Sequence, residues 1–334
     1  YASDLNVDSA LGKGWVLPWE QSLRRHGQFI YLTDNQGRSV PFVPLQPNQR
    51  IYHPHEQVYL VCTEGGHYLL QTLDNVFFYF GEVPNNNVPV PLQRIENAMG
   101  HFLHFTRTAQ GRLTDISATG GVRVHLHYEE DSPRLSAVKR IVDNQAVETL
   151  VQYTYDSHGQ LSGVINRNGH SVRTFSYAEG VMASHSNANG LGCHYRWQTL
   201  DGQPRVVEHW TSDGEHFHFD YDFAARQTRV TDVLGRHAEV TYNADRRVVA
   251  STDFGGERYT IDLDDTGNIT ALTLADGNTL AFAYDELSRL TAETDPLGRT
   301  TRYQHHHKTT LVTQVDYPDG STWRARYDDK GNLV

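Results

Sequence analysis

The chain has 334 residues, a formal net charge of −11, 38% hydrophobic and 21% charged residues, and two cysteines, Cys62 and Cys193, without CxxC spacing. That acidity excludes a general nucleic-acid binder, which needs a basic face to displace counterions; the cysteine usage excludes a disulfide scaffold or cysteine-zinc site and predicts two free, buried thiols. No window approaches the roughly 18 apolar residues that span a bilayer, so no membrane insertion by this segment is expected, and the low apolar share points to a thin core.

Residues 1–97 are strand-like at 28–32, 68–73 and 76–80, but they carry no period, and proline-rich stretches at 41–47 and 84–91 interrupt them. His53-Pro54-His55-Glu56 lacks the helix that a His-Glu-x-x-His metal site requires and reads as loop. This region is expected to be an atypical β-rich start or cap of the kind that repeat arrays require.

From residue 98 to 334 a period appears. Gly100 and Gly121 are 21 residues apart, and Gly169, Gly190, Gly214, Gly235, Gly256, Gly277, Gly298 and Gly320 come after them at gaps of 21, 24, 21, 21, 21, 21 and 22. A tyrosine-aspartate pair stands seven residues after Gly214 (Tyr221, Asp222), Gly277 (Tyr284, Asp285) and Gly320 (Tyr327, Asp328). Each unit opens on a turn such as Asp295-Pro296-Leu297-Gly298, in which Pro suits an early position and Gly supplies a positive φ. An alternating strand follows, for example Leu280-Ala281-Phe282-Ala283-Tyr284. A second turn of the form Asp-x-x-Gly comes next, seen at Asp156, Asp264 and Asp328, then a polar-Leu step (Gln160-Leu161, Arg289-Leu290, Asn332-Leu333) and a second short strand. Aspartate at such a turn accepts a backbone N–H two residues on, which favours turn over helix. Two strands and two turns in about 21 residues leave roughly 6 residues per strand. No apolar face at helical spacing occurs, so essentially no helix is predicted.

Within the array several groups invite a chemical reading. In Gly214-Glu215-His216-Phe217-His218-Phe219-Asp220-Tyr221-Asp222, strict alternation puts His216, His218, Asp220 and Asp222 on one strand face and Phe217, Phe219 and Tyr221 on the other. His216, His218 and Asp220 are candidate metal ligands if a third donor converges, against a bland reading as a polar sheet face. His305-His306-His307 stands where other units carry Tyr-Asp-x-x-Gly and reads as a variant turn. Trp197, Trp210 and Trp323 could form a carbohydrate-binding face; cross-strand packing is the favoured account. Carboxylates suffice in number for glycoside hydrolysis, yet nearly every Asp falls at a turn, where capping explains it. No nucleophile elbow, phosphate loop or dinucleotide fingerprint is present, so no catalytic residue and no cofactor is assigned.

The Gly-(x)6-Tyr-Asp-x-x-Gly-Arg-Leu…Asp-Pro-x-Gly grammar resembles the Rhs/YD-repeat family. Its best copy runs from Phe282, Tyr284 and Asp285 through Arg289-Leu290 to Asp295-Pro296-Leu297-Gly298-Arg299, and Leu11-Gly12-Lys13-Gly14-Trp15 is similar to the region preceding the repeats in bacterial Rhs proteins. The resemblance implies an all-β fold, a spiral β-sheet wall of repeated hairpins forming part of a cocoon around a C-terminal toxin domain. It implies that domain as cargo, with a secretion spike protein and a loading chaperone as further partners. It also implies an effector made in the cytoplasm of a Gram-negative bacterium and delivered by a type VI-like route. The family's self-cleavage motif is not found, the last residues falling in mid-repeat, so the array is expected to be truncated and non-enzymatic. Two other readings stay open: a cell-surface adhesion module that binds glycans, and a carboxylate glycoside hydrolase.

Overall fold

Glycine and its substitutes set the architecture. In the computed structural model, which describes residues 1–3, 7–130, 132–307, 309–328 and 331–334, the repeat turns bring successive strands back antiparallel, and no helix occurs among the described residues. The turn glycines adopt positive φ, 82° at Gly277 and 78° at Gly298, a region that L side chains enter only with strain.

The chain divides into two compact units. The first comprises Tyr1–Ile51, Leu60–Gln71 and Val76–Gly214. It holds a small sheet in the order Val90–Pro91, Ser22–His26, Phe29–Thr33, Ser39–Phe42, and this sheet takes up much of the aperiodic region. It also holds a long antiparallel ladder in which Tyr68–Thr72 pairs with Phe77–Gly81, which pairs with Arg94–Glu96. From there each strand pairs with the next in sequence as far as Gln203–Thr211. Most fully buried side chains lie in this unit, among them Leu23, Ile30, Leu60, Phe80, Leu92 and Leu135, each at 0% exposure.

The second unit comprises Tyr52–Tyr59, Thr72–Asn75 and Glu215–Val334. Its strands run from His216–Asp222 to Thr322–Arg324, each paired antiparallel with its sequence neighbour. Among the described residues only Leu73, Ala250 and Val315 are buried apolar side chains here, at 4%, 4% and 9% exposure. This is the thin core anticipated from composition. The loop after Arg50–His53 packs on the array within this unit: the Tyr52 hydroxyl donates to the Leu287 carbonyl at 2.6 Å, and His55 Nδ1 lies 2.7 Å from the Arg247 guanidinium.

Not every connection is a glycine turn of the repeat. The pairs Leu135–Val142 with Gln145–Tyr155, and Gly192–Leu200 with Gln203–Thr211, are joined by two residues, Asp143-Asn144 and Asp201-Gly202, all with positive φ (48°, 60°, 51°, 70°). Two-residue loops with both φ positive match the twist of a hairpin. The longer strands they join account for the 24-residue gap between Gly190 and Gly214. Both cysteines are free, but only Cys62 is buried; Cys193 is half-buried, because it sits on a strand with no packed layer over it.

Candidate functional site

Most repeat turns are built by one acidic or amide side chain. At Asp285, Oδ1 accepts the N–H groups of Leu287 (2.9 Å) and Arg289 (3.0 Å), while Oδ2 takes Arg289 Nε at 2.8 Å. Asp295 repeats this with Leu297, Arg299 and the Arg299 guanidinium (2.9, 2.9 and 2.6 Å). Asn166, Asn187 and Asn243 occupy the same position and accept the same two N–H groups. An amide that replaces a carboxylate without changing the geometry is a cap, not an acid or base. These bonds hold the carboxyls low: Asp264 falls to about 2, burial opposing and the hydrogen bonds from Asn268 and Thr266 outweighing it. Asp328 caps its turn through the Asn332 N–H at 2.8 Å, whereas Asp329 and Lys330 lie outside the described residues. Asp222 differs: it accepts from the Ala225 N–H at 2.8 Å, three residues on, in the loop that leads to its ladder partner Gln227.

In four units the tyrosine at or near the end of the first strand reaches back one hairpin. Tyr128, Tyr155, Tyr177 and Tyr327 donate their hydroxyls to the carbonyls of Leu113, Leu135, Leu161 and Val312 at 2.7, 2.6, 2.8 and 2.9 Å. The three leucines are buried, at 4%, 0% and 1% exposure. The polar-Leu step therefore supplies a packed side chain and an acceptor for the next tyrosine. Trp197 does the same work, its indole N–H donating to the Met182 carbonyl at 2.7 Å. Burial pushes Tyr128 and Tyr177 up to about 12. In the first unit the N-terminal segment joins this lattice. The Trp15 indole donates to the Tyr177 hydroxyl at 2.9 Å, and Arg134 pairs with Asp8 at 2.7 Å while donating to the Gly159 carbonyl.

The other candidates separate by strand position. His216–Asp222 alternates between half-buried Phe217, Phe219 and Tyr221 and exposed His218, Asp220 and Asp222. The His216 and His218 rings lie 4.7 Å apart. Asp220 stands across from Arg229 in the ladder, and among the described residues it joins no group of three side chains able to share an ion. His305 closes its strand, and His306 takes the aspartate's place in the turn; its carbonyl and that of Thr309 accept from Arg289 at 2.8 and 2.9 Å. Burial, then Arg289, holds the His305 ring below its usual range. Trp210 stacks on His194 at 5.3 Å, and Trp323, opposite Val315, is 42% exposed.

In the second unit, register sorts the side chains into two faces. Phe217, Phe219, Tyr221, Val230, Val240, Ile261, Leu272, Phe282, Tyr303 and Val315 share one face with the repeat tyrosines. Polar and charged residues, such as Asp220, Arg229 and Glu239, occupy the other. The aromatic face is half-buried along its length rather than packed. It is the surface with most to offer a partner.

Hairpins of this period, closed by Asx-capped turns and bonded back through tyrosine, define a YD-repeat shell protein. Residues 198–334 match the Teneurin YD-shell model, and residues 1–42 match a domain of unknown function, DUF6531. The chain is 39% identical over 245 residues to the double-stranded DNA deaminase toxin A of Burkholderia cenocepacia, covering 73% of this chain and 17% of that protein. It is 26% identical over 269 residues to the toxin protein Tse5 of Pseudomonas aeruginosa, covering 68% of this chain and 20% of that protein. The chain thus spans about a fifth or less of these relatives. A solved TcdB2-TccC3 structure aligns over 92% of this chain and 22% of its own at 12% identity and a TM-score of 0.32. The chain belongs to the Rhs/YD-repeat family.

Proposed function

We propose that the chain is a wall segment of an Rhs-type toxin shell, and that its aromatic face lies against a C-terminal toxin domain, which it encloses and shields until delivery. One observation carries this reading. The second unit presents an aromatic and aliphatic face while burying few apolar side chains, Leu73, Ala250 and Val315 among the described residues. A surface of that kind is suited to contact a guest chain by area rather than by a single matched pocket. The relatives are named as toxins, which supports a role in a toxin; the deaminase activity in one of those names belongs to that protein. On this reading the protein is an effector made in a Gram-negative cytoplasm and exported by a type VI-like route, with a spike protein and a loading chaperone as transient partners. The turn aspartates are occupied as caps, which removes them as the acid–base pair of the hydrolase reading. Trp197 and Trp210 are engaged within the wall, which weakens the glycan reading.

A photo-crosslinking residue placed at Phe282 on the aromatic face, and separately at Ala283 on the polar face, tests this in the full-length protein. Adducts to the C-terminal toxin domain from 282 and not from 283 are expected. Equal yields from both positions, or none from 282, would overturn it.

A further inference from the structure

One carboxylate interrupts the aromatic face of the second unit. Glu293 pairs across the ladder with Phe282 on one side and Thr301 on the other, which places it on the tyrosine face. The other charged residues within these strands, including Asp220, Arg229, Glu239, Asp262, Arg302 and Asp316, point the opposite way by register. The exception is Asp232 at its strand's end, which is closed by its own turn and by Arg236 at 2.6 Å. Among the described residues no lysine or arginine within these strands shares the face with Glu293, and Glu293 forms no salt bridge. Burial first, then the neighbouring Glu293 carboxylate, pushes the Tyr303 phenol above its usual range.

Glu293 lines a cavity of about 640 Å³ with Leu280, Thr301, Tyr317, Arg299 and Asp319. The other charged residues of the lining, Asp295, Arg299 and Asp319, are already engaged. Arg299 is held by Asp295 at 2.6 Å, and Asp319 by the Ser321 N–H and hydroxyl at 2.8 and 2.6 Å. Tyr317 is 44% exposed at the rim. The volume is that of a side-chain or small-ligand pocket. A carboxylate beside an aromatic ring, in a cavity whose other charged groups already have partners, is complementary to a guanidinium or ammonium, which gains an ion pair from one and a cation–π contact from the other.

We infer that this cavity receives a single basic side chain, arginine or lysine, of a polypeptide lying along the aromatic face. The inference rests on the shell reading for which polypeptide that is, and on the cavity alone for the chemistry. Within the shell, such a site anchors a guest chain at one point on a surface that otherwise grips by apolar area.

The test uses a fluorescein-labelled peptide, acetyl-Ala-Ala-Arg-Ala-Ala-amide, and its citrulline counterpart, which keeps the shape of arginine and removes the charge. Fluorescence anisotropy should show the arginine peptide binding at least about fivefold more tightly than the citrulline peptide, with Glu293→Gln erasing that ratio. Glu239→Gln, on the opposite face, should leave it unchanged. An arginine preference that survives Glu293→Gln, or that falls equally with Glu239→Gln, would overturn the inference and point to net charge alone. Tyr317→Ala is a second reporter should Glu293→Gln disturb folding, because its ring is exposed and carries no core packing; it should weaken the arginine peptide selectively. Failure here with face-specific crosslinks intact removes the cation site and leaves the shell. Loss of the crosslinks with peptide binding intact does the reverse.

Discussion

Tyr177→Phe removes one oxygen at the junction of the N-terminal segment and the repeat lattice. The Tyr177 hydroxyl donates to the Leu161 carbonyl at 2.8 Å and accepts the Trp15 indole N–H at 2.9 Å. Burial pushes the phenol up to about 12. Deleting the hydroxyl leaves an acceptor and a donor without their partner, and an unsatisfied buried group costs about 1–3 kcal/mol. Water reaches part of this half-buried site, so the net loss should be about 2 kcal/mol. Tyr327→Phe deprives only the Val312 carbonyl and should cost about 1 kcal/mol. Urea unfolding followed by far-ultraviolet circular dichroism measures both losses, and tryptophan emission, to which Trp15 contributes as one of five tryptophans, is followed alongside. A Tyr177→Phe loss below about 0.5 kcal/mol, with tryptophan emission unmoved, would refute the reasoning that these tyrosines bind the lattice together.

Three further outcomes concern the turns. Arg246 holds a φ of 61° where other turns have glycine, so Arg246→Gly should stabilise the second unit by about 1 kcal/mol in thermal or urea unfolding. Gly267→Ala should destabilise it by about 2 kcal/mol by the same measurement: φ is +89°, and a Cβ would collide with the Arg247 guanidinium and displace it from the Gly267 carbonyl that it binds. Asp264 titrates near 2 in the folded chain against 3.8 for the free side chain, so its contribution is complete above that higher value and is lost as pH falls through about 2. Asp264→Asn, the residue other turns use, should therefore flatten the decline in melting temperature over that acid window while preserving the turn.

Much of this fold was legible because the repeat is local. Asp285 and Asp295 bond within four residues of themselves, so spacing alone identified their turns, and alternation assigned Phe217, Phe219 and Tyr221 to one face. The absence of helix among the described residues agrees with the missing 3.6-residue period. What the spacing did not reveal is what the tyrosines hold. Their acceptors lie 15 to 20 residues back and are backbone carbonyls, which leave no mark in residue identity. Trp197 could not be seen as a tyrosine substitute for the same reason. Ser288 and Arg246 conceal turn positions because they adopt positive φ without being glycine. Glu293 was hidden among turn carboxylates until strand register separated the faces.

The central claim is that this wall shelters a guest, and protease protection measures it most directly. In the full-length protein, the half-life of the C-terminal toxin domain in trypsin should exceed that of the same domain made alone by at least about tenfold, since cleavage must wait for the wall to open. Equal half-lives at one trypsin concentration would contradict the account.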